Sequence, residues 1–455
     1  MKSKNSLLDV FTSRKMATLV MLGFSSGLPL YLTGKDPMQA WLSSEGVDLK
    51  VIGFFSIVAL PYSLKFLWSP FIDRYVPPFL GRRRGWLLVT QVLLIITIAL
   101  MGFQDPGALK AIPLGPTAAT ATAAAVCASS GFFQGLCEIR NTVSLMAGSS
   151  IFWFAMIVAF FSATQDIVAD AYRTDSLTES ERGAGASVFL FGYRIAVQIA
   201  AALTLAFSQV MPWKWIYFVM ALLMSVGVVA SLIAPEPEHD SLPPTSLAES
   251  IVLPFQEFFQ RSGWQRAILI LTFIVIYKLG DSLLRNVATP FLLDKGLGFS
   301  AAEIAFPRLV AFSATTIGVL SGGVIMTRIG VNKSLWIFAI LQAVGNLSYV
   351  LLAIVGKDYS IMFAALNIEN FLGGLESAAF VALLMSLCNA RLSATQYALF
   401  SSLQAFSRDI LTAPAGVWAG QMGWAPFFTM TAIVALPGIL LLPFFAPWNG
   451  ENVEL

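Results

Sequence analysis

Runs of about twenty apolar residues, each long enough to cross ~30 Å of hydrocarbon as a helix, recur along the whole chain and leave little room for a water-soluble fold. Measured with that ruler, the sequence predicts twelve spans. The first six lie near 16–42, 50–72, 85–104, 150–172, 184–210 and 214–234. The second six lie near 264–293, 302–327, 333–355, 360–389, 394–422 and 424–446. Only 12% of the 455 residues are charged, about half the share a soluble domain carries. The fold class expected is an all-α polytopic membrane protein. Lys2, Lys4, Arg14 and Lys15 precede the first apolar run, which continues too far for a cleavable leader and reads as a retained first span.

The stretch from Ala234 to Pro244 is polar and proline-rich, cannot be helix interior, and reads as a linker between two halves. The expected organisation is an N-terminal tail at 1–15, a six-helix bundle at 16–234, a linker at 235–263, a second bundle at 264–448 and a tail at 449–455. With both termini in the cytoplasm, fifteen Lys and Arg fall on the inner side and six on the outer, the bias that sets topology.

The halves carry a faint repeat. Asp73-Arg74 and Arg82 to Arg84 follow the second span, as Arg328 and Lys333 follow the eighth; Arg182 precedes Arg194 by twelve residues, as Gln396 precedes Arg408. The offset from Arg74 to Arg328 exceeds that from Arg194 to Arg408 by forty, so the first half holds about forty extra residues. The Ala-, Thr- and Ser-rich segment 105–149 is where they fall. An outer excursion with a short amphipathic helix near 130–148 is expected there, with an added helix pair as the alternative.

Net charge is +2 with basic residues at helix ends, which excludes a nucleic-acid stripe. His239 is the only histidine, and Cys127, Cys137 and Cys388 lack metal spacing; Cys127 and Cys137 read as two free thiols, with a pairing on the outer side as the alternative. No enzyme, metal or cofactor is implied.

Ionisable residues inside spans are expensive and mark cavities, ion pairs or proton routes. Here they are Lys65, Asp166, Asp170, Arg194, Lys278, Asp281, Arg285, Glu369, Glu376 and Arg408, with Lys35 and Asp36 interrupting the first span. Asp166 and Asp170 are one helical turn apart, so both carboxylates share a face, and such a pair suits proton carriage. Lys278, Asp281 and Arg285 form a stripe of alternating sign on one face. The structural alternative is buried ion pairs that fix helix registration. Asp73 and Arg74, with Arg82 and Arg328, are expected at the inner gate, where pairs are made in one state and broken in the other. Gly27, Pro29, the 33–37 stretch and Gly373-Gly374 offer either unwound backbone for ligand binding or small-residue packing.

Phe24 to Leu30, Gln39 to Trp41, Lys65 to Pro70, Asp73 to Tyr75 with Gly81 to Trp86, Ser162 to Ile167, Glu181 to Gly185, Lys278 to Asp281, Glu369 to Gly374, Ala379 to Asn389 and Ser393 to Gln396 carry a specific likeness. Together they resemble the AmpG muropeptide permease family of the major facilitator superfamily, over nearly the whole chain except its ends and 105–150. The resemblance implies a major facilitator fold of two pseudo-symmetric six-helix halves in the bacterial inner membrane. It implies import of N-acetylglucosaminyl-1,6-anhydro-N-acetylmuramyl peptides from periplasm to cytoplasm, driven by the proton motive force, for peptidoglycan recycling. With such an anionic cargo, Lys65, Arg194, Lys278 and Arg285 become expected anchors, Gln165 and Gln39 hydrogen-bonders, and Trp41, Trp68 and Tyr193 candidate stacking residues, with lipid or core packing as the alternative for each. Asp166, Asp170, Asp281 and Glu369 become expected proton-coupling groups. A monomer is expected, in membrane lipid, with a periplasmic partner considered for the 105–149 insertion. The sequence departs from the family at Lys35-Asp36-Pro37, which adds charge, a kink and one residue to a run usually made of small residues. Two alternatives stand: a transporter of another anionic solute, such as an acyl-CoA-like or glycerophospho compound, and a non-transporting muropeptide sensor. The sensor lacks an output domain, since the longest inner segment is about thirty residues.

Overall fold

The computed structural model describes residues 13–34, 36–47, 51, 55–110, 146, 148–208, 210–237, 246–293, 296–412 and 414–448. Lys35, the Asp36 side chain, Cys127, Cys137, the expected helix near 130–148 and most of both expected tails lie outside the described residues. Among the described residues, 9 helices are long and apolar enough to cross a membrane. One of these, Ala301–Val355, is two helices turned at Gly330 (φ 81, ψ 167). The second and eleventh crossings are too fragmented to be among the nine, and with them the twelve expected crossings are present.

In chain order α1 is Arg14–Ser44, and α2 runs through Phe55–Ala59, Leu60–Leu64, Lys65–Leu67 and Ser69–Arg74. Next come α3 (Arg82–Gly102), α4 (Ser150–Ser176), α5 (Arg182–Phe207) and α6 (Trp213–Ile233). In the second half α7 is Trp264–Leu292, α8 and α9 are the limbs of Ala301–Val355 before and after Gly330, and α10 is Tyr359–Ser386. The eleventh, α11, joins Ser393–Phe406 to Ala415–Met422 through a widened π turn at Ser407–Leu411, and α12 is Trp424–Leu441.

Proline explains the breaks in α2. Pro61 and Pro70 each sit in the first turn of a new segment, where the missing N–H would have had no helical partner. Glycine explains the close helix pairs. A Cβ on Gly192 would lie 2.0 Å from the Val20 carbonyl oxygen, and one on Gly27 would lie 2.4 Å from that of Tyr193, so α1 and α5 touch backbone to backbone. Gly318 and Gly374 do the same between α8 and α10, at 2.1 Å and 2.4 Å from the oxygens of Phe371 and Thr315. Gly27, Gly373 and Gly374 are inside continuous helix. Of the two readings open for them, close packing is the one the helices adopt.

Buried apolar side chains form three clusters. One belongs to the first half alone (Leu28, Trp41, Leu94, Phe152, Tyr217) and one to the second half alone (Leu284, Phe291, Tyr349, Phe427). The third joins both halves, from Met16, Leu87 and Phe189 to Phe273, Met326 and Tyr397. This joint cluster lies at the end that carries Arg82 to Arg84, Arg173 and Arg391, hereafter the basic end; the halves are fused there and separately cored at the other. The linker also contains a helix, Leu247–Ser262, begun by a Ser246 side chain that accepts from the Glu249 N–H. Ile251, Val252 and Phe255 are exposed on it, as expected of an amphipathic helix lying along a membrane surface.

Candidate transport site

On the first-half side, α4 carries Gln165, Asp166 and Asp170. Lys65, from the tight turn in α2, places Nζ 3.5 Å from Asp170 Oδ2, and Arg173 Nη2 lies 2.8 Å from Asp170 Oδ1. Two cations therefore hold Asp170. Asp166 lies in the field of the same Lys65 and within hydrogen-bonding reach of Ser26. Gln165 is fully buried and its amide donates to Ser25 (3.1 Å) and Ser26 (3.5 Å), so it ties α4 to α1. Its Oε1 has no partner among the described residues. The Tyr62 and Ser162 hydroxyls are hydrogen-bonded beside this group.

On the second-half side, α7 presents the predicted stripe to α10. Arg285 Nε donates to both Asp281 oxygens (3.0 and 3.1 Å), and its Nη2 lies 2.8 Å from Glu369 Oε1. The Glu369 contact is short but not aligned as a hydrogen bond, for Oε1 accepts none. Asn370 donates to the other Glu369 oxygen at 2.8 Å. The Arg285 side chain is 40% exposed while Asp281 and Glu369 are 6% and 3% exposed, so the guanidinium faces open space with its carboxylates behind it. Lys278 donates to Ser377 at 2.8 Å and lies 3.5 Å from Glu376. Gln342, on α9, donates to Asp281 (3.2 Å) and Asn346 (3.1 Å), leaving Gln342 Oε1 and Asn346 Nδ2 buried without partners among the described residues.

Arg194, on α5, lies within electrostatic range of Arg285 and Glu369 across the two halves, and its buried Nε has no hydrogen-bond partner among the described residues. A guanidinium from each half thus lies within electrostatic range of the other, a pair that would suit a bridging anion.

Some predicted site residues stand elsewhere. Trp41 is 2% exposed and packed on Trp213 and Tyr217, with ring centroids 5.9 and 4.9 Å away, so it belongs to the first-half core. Gln39 is exposed on the short helix Asp36–Ser44. Trp68 donates to Thr164 at 3.1 Å and lines an apolar groove with Phe160, Trp86 and Ile251 of the linker helix, outside the charged cavity.

Below the cavity, the basic end is closed by buried charge. Asp73 has no exposure and accepts from Arg82 Nη2 (2.9 Å), from the Arg83 guanidinium (3.3 Å), and from the backbone N–H (2.8 Å) and hydroxyl (2.7 Å) of Thr395. Thr395 is in the first turn of α11, whose unpaired N–H groups favour an anion. Arg83 also reaches Asp175 (2.7 Å) and Ser393 (2.7 Å), Arg82 reaches the Arg391 carbonyl (2.9 Å), and Arg173 donates to the Tyr397 hydroxyl (2.6 Å). The buried charge network at this end therefore comprises Asp73, Arg82, Arg83, Asp175 and Arg173. Arg74 instead lies over the Tyr75 ring, 5.5 Å from its centroid, and Arg328 is exposed with no ion pair among the described residues. The matching seam between α5 and α8 is made of small residues: a Cβ on Gly183 would lie 2.6 Å from that of Met326, and one on Gly323 would lie 2.3 Å from the Ser187 hydroxyl.

The linker fastens the same end. Glu236 accepts from the backbone N–H groups of Arg83 (2.9 Å) and Arg84 (3.2 Å), capping α3, while Glu257 of the linker helix accepts from Asn389 (3.0 Å) and Gln396 (2.6 Å). Between α4 and α5, burial pushes Glu181 up, but the Thr178 N–H, Lys15 and the Thr178 hydroxyl together hold it below the ordinary carboxylate value. Cys388 is a buried free thiol that burial pushes well up. Arg173, Asp175, Gln342, Asn346 and Thr395 are members of the site or gate that the sequence reading did not single out. Arg173 was counted there only as a topology signal, and neutral amides give no mid-span charge signal.

Twelve helices in two halves, fused at one end and carrying charged side chains within their spans, define a membrane transporter. The chain belongs to the Major Facilitator Superfamily, whose family model matches residues 16–412. It is 42% identical over 438 residues to the anhydromuropeptide permease of Escherichia coli (strain K12), covering 96% of this chain and 80% of that one. It is also 35% identical to an uncharacterized protein of Haemophilus influenzae, covering 98% of each. The structure of the proton:xylose symporter XylE matches with a TM-score of 0.63 at 11% identity, covering 98% of this chain and 97% of that one, which bears on the fold alone. The permease and the symporter are transporters rather than enzymes.

Proposed function

We propose that this chain imports anhydromuropeptides across the bacterial cytoplasmic membrane in symport with protons, as a monomer with both termini in the cytoplasm. The observation that carries the reading is the likeness to an anhydromuropeptide permease that spans 96% of the chain, with Arg194 and Arg285, one guanidinium from each half, within electrostatic range of each other. A muropeptide is anionic through its peptide carboxylates, and one such group between the two arginines would draw the halves together. The bundles 16–234 and 264–448 then rock about the bound cargo. With the basic end in the cytoplasm, the structure is closed inward, and the Asp73–Thr395 gate breaks when the cavity turns inward.

Asp170 and Asp281 each accept a hydrogen bond from an arginine, and Glu369, whose arginine contact is unaligned, joins Asp166 in the pair of carboxylates assigned to proton exchange. The test is uptake of labelled anhydromuropeptide into proteoliposomes, in competition with unlabelled muropeptide, an acyl-CoA and a glycerophosphodiester. Saturable uptake competed only by muropeptide is expected. Competition by one of the other anions, with none by muropeptide, would move the cargo to that class.

A further inference from the structure

The second-half charge cluster contains one carboxylate more than it has cations: Asp281, Glu369 and Glu376 against Lys278 and Arg285. Asp281 is bonded by Arg285 and Gln342 and Glu376 lies 3.5 Å from Lys278, while Glu369 meets the terminal Nη2 of the part-exposed Arg285, so Glu369 is the carboxylate an incoming anion would displace. Glu369 has the unaligned contact to Arg285, the Asn370 amide, and a side-chain contact with the neighbouring Asp281 carboxyl. Behind the exposed guanidinium, Gln342 Oε1 and Asn346 Nδ2 are buried without partners, so polar capacity is left over around it.

The position of Arg285 depends on one residue of α10. A Cβ on Gly373 would lie 2.2 Å from Arg285 Nη2, 3.4 Å from its Cζ and 3.8 Å from Gln342 Oε1. Gly373 is in the middle of a continuous helix and its backbone does not need a glycine. What needs the glycine is the guanidinium pressed flat against the helix beside Glu369.

We propose that Glu369 holds Arg285 in the place of a cargo carboxylate, and that the cargo takes this place as Glu369 takes up one proton from the outer medium, with Gly373 as the positioning residue that makes room for the exchange. The inference rests on the muropeptide reading and adds the coupling step to it. The Glu369–Arg285 ion contact breaks, a cargo carboxylate–Arg285 pair forms, and the proton neutralises Glu369, so the charge of the cluster with its cargo is unchanged. Facing Glu369 are Lys278, Asp281 and Arg285 from α7, Arg194 from α5, Tyr349 from α9, and Glu376 with Asn370 on its own helix. A cargo carboxylate that arrived without the proton would leave this set, balanced once Arg194 is counted, with an uncompensated negative charge, which the low-dielectric surroundings penalise.

The test is proton uptake on cargo binding, read with a pH indicator in weakly buffered detergent solution. The wild type is expected to take up about one proton per muropeptide bound, and its Kd is expected to weaken about tenfold per pH unit in the alkaline limb. Glu369→Gln should bind with no proton uptake and a flat pH profile, and a muropeptide whose carboxylates are methyl esters should take up none with wild type. Gly373→Ala should raise KM at least tenfold while leaving the maximal exchange rate within about twofold and the pH profile in place. Undiminished proton uptake in Glu369→Gln overturns the proposal, as does a pH-independent wild-type Kd, which needs no variant to fold. Failure of the wild type to bind muropeptide at all refutes the cargo assignment itself.

Discussion

The carboxylate of Asp73, at the end of α2, accepts both the backbone N–H and the hydroxyl of Thr395, at 2.8 and 2.7 Å, in the first turn of α11 in the opposite half. One side chain thus caps a helix of the other half and compensates two arginines of its own, Arg82 and Arg83. The negative charge sits where the α11 N–H groups point, so separating the halves strips Asp73 of its Thr395 contacts and leaves the helix start uncapped.

Asp73→Asn removes the ion pairs and leaves two buried arginines short of a partner, a loss of about 3–5 kcal/mol in the closed gate. Thr395→Val keeps the pairs and removes one bond to a charged group, about 1.5–3 kcal/mol. Spin labels at Phe79 and Arg328, exposed on opposite halves at the basic end, measure the result. The distance distribution should shift to longer values strongly in the first variant and partially in the second. An unchanged distribution in Asp73→Asn would remove this residue from the gate.

Arg194→Gln and Arg285→Gln each take away one guanidinium of the pair. Each is expected to raise the KM for an anionic muropeptide roughly ten- to a hundredfold, and the effect should shrink for a methyl-esterified cargo. Equal effects on charged and esterified cargo would mean the arginines shape the cavity without contacting the carboxylate.

Gly192→Ala places a methyl group where only 2.0 Å separates it from the Val20 carbonyl oxygen. Neither backbone can yield cheaply, and overpacking of this kind costs roughly 1–3 kcal/mol. A lower midpoint for thermal unfolding in detergent is expected, and an unaltered midpoint would show that α1 and α5 have slack at this crossing.

Glu181 gives a pH dependence with a definite sign. Its folded value is depressed by Lys15 and Thr178, so its contribution is present above the unfolded value of about 4.3 and is lost as pH falls through the lower folded value. The melting temperature of the wild type should therefore fall faster on acidification below about pH 5 than that of Glu181→Gln. Parallel curves would count against the Lys15–Glu181 link.

Charge at membrane depth made much of the cavity legible before the fold was known. Lys65, Asp166, Arg194 and Arg285 stand out because lipid tolerates such groups only for a reason; Lys65 and Asp166 fall in the first-half charge group and Arg285 in the second-half one, with Arg194 within electrostatic range of Arg285. Spacing was as reliable within a helix, since Asp281 and Arg285, four apart, do pair. Between helices it was mute. Asp73 could be read as a gate residue, but its partner Thr395 lies 322 positions away and carries no charge to announce it. Arg82 and Arg83, rather than Arg74, pair with Asp73 because the turn at Gly81 (φ 82) brings the start of α3 back under α2, and no local pattern discloses that return. Trp41 failed as a stacking candidate for a related reason: an aromatic ring in a span looks the same whether it faces a cavity or, as here, Trp213 and Tyr217. The fragmented α2 and α11 were read as ordinary spans because hydropathy does not register a Pro61 or Pro70 restart or a π turn.

The most direct test of the central claim follows protons and cargo together in proteoliposomes, with a pH dye outside and no imposed gradient. If an anionic muropeptide is carried in symport, adding it outside should make the outer medium more alkaline as it enters, and a protonophore should abolish the signal while leaving downhill entry intact. Muropeptide entry with no alkalinisation would contradict proton symport, and the charged cavity would then serve binding alone.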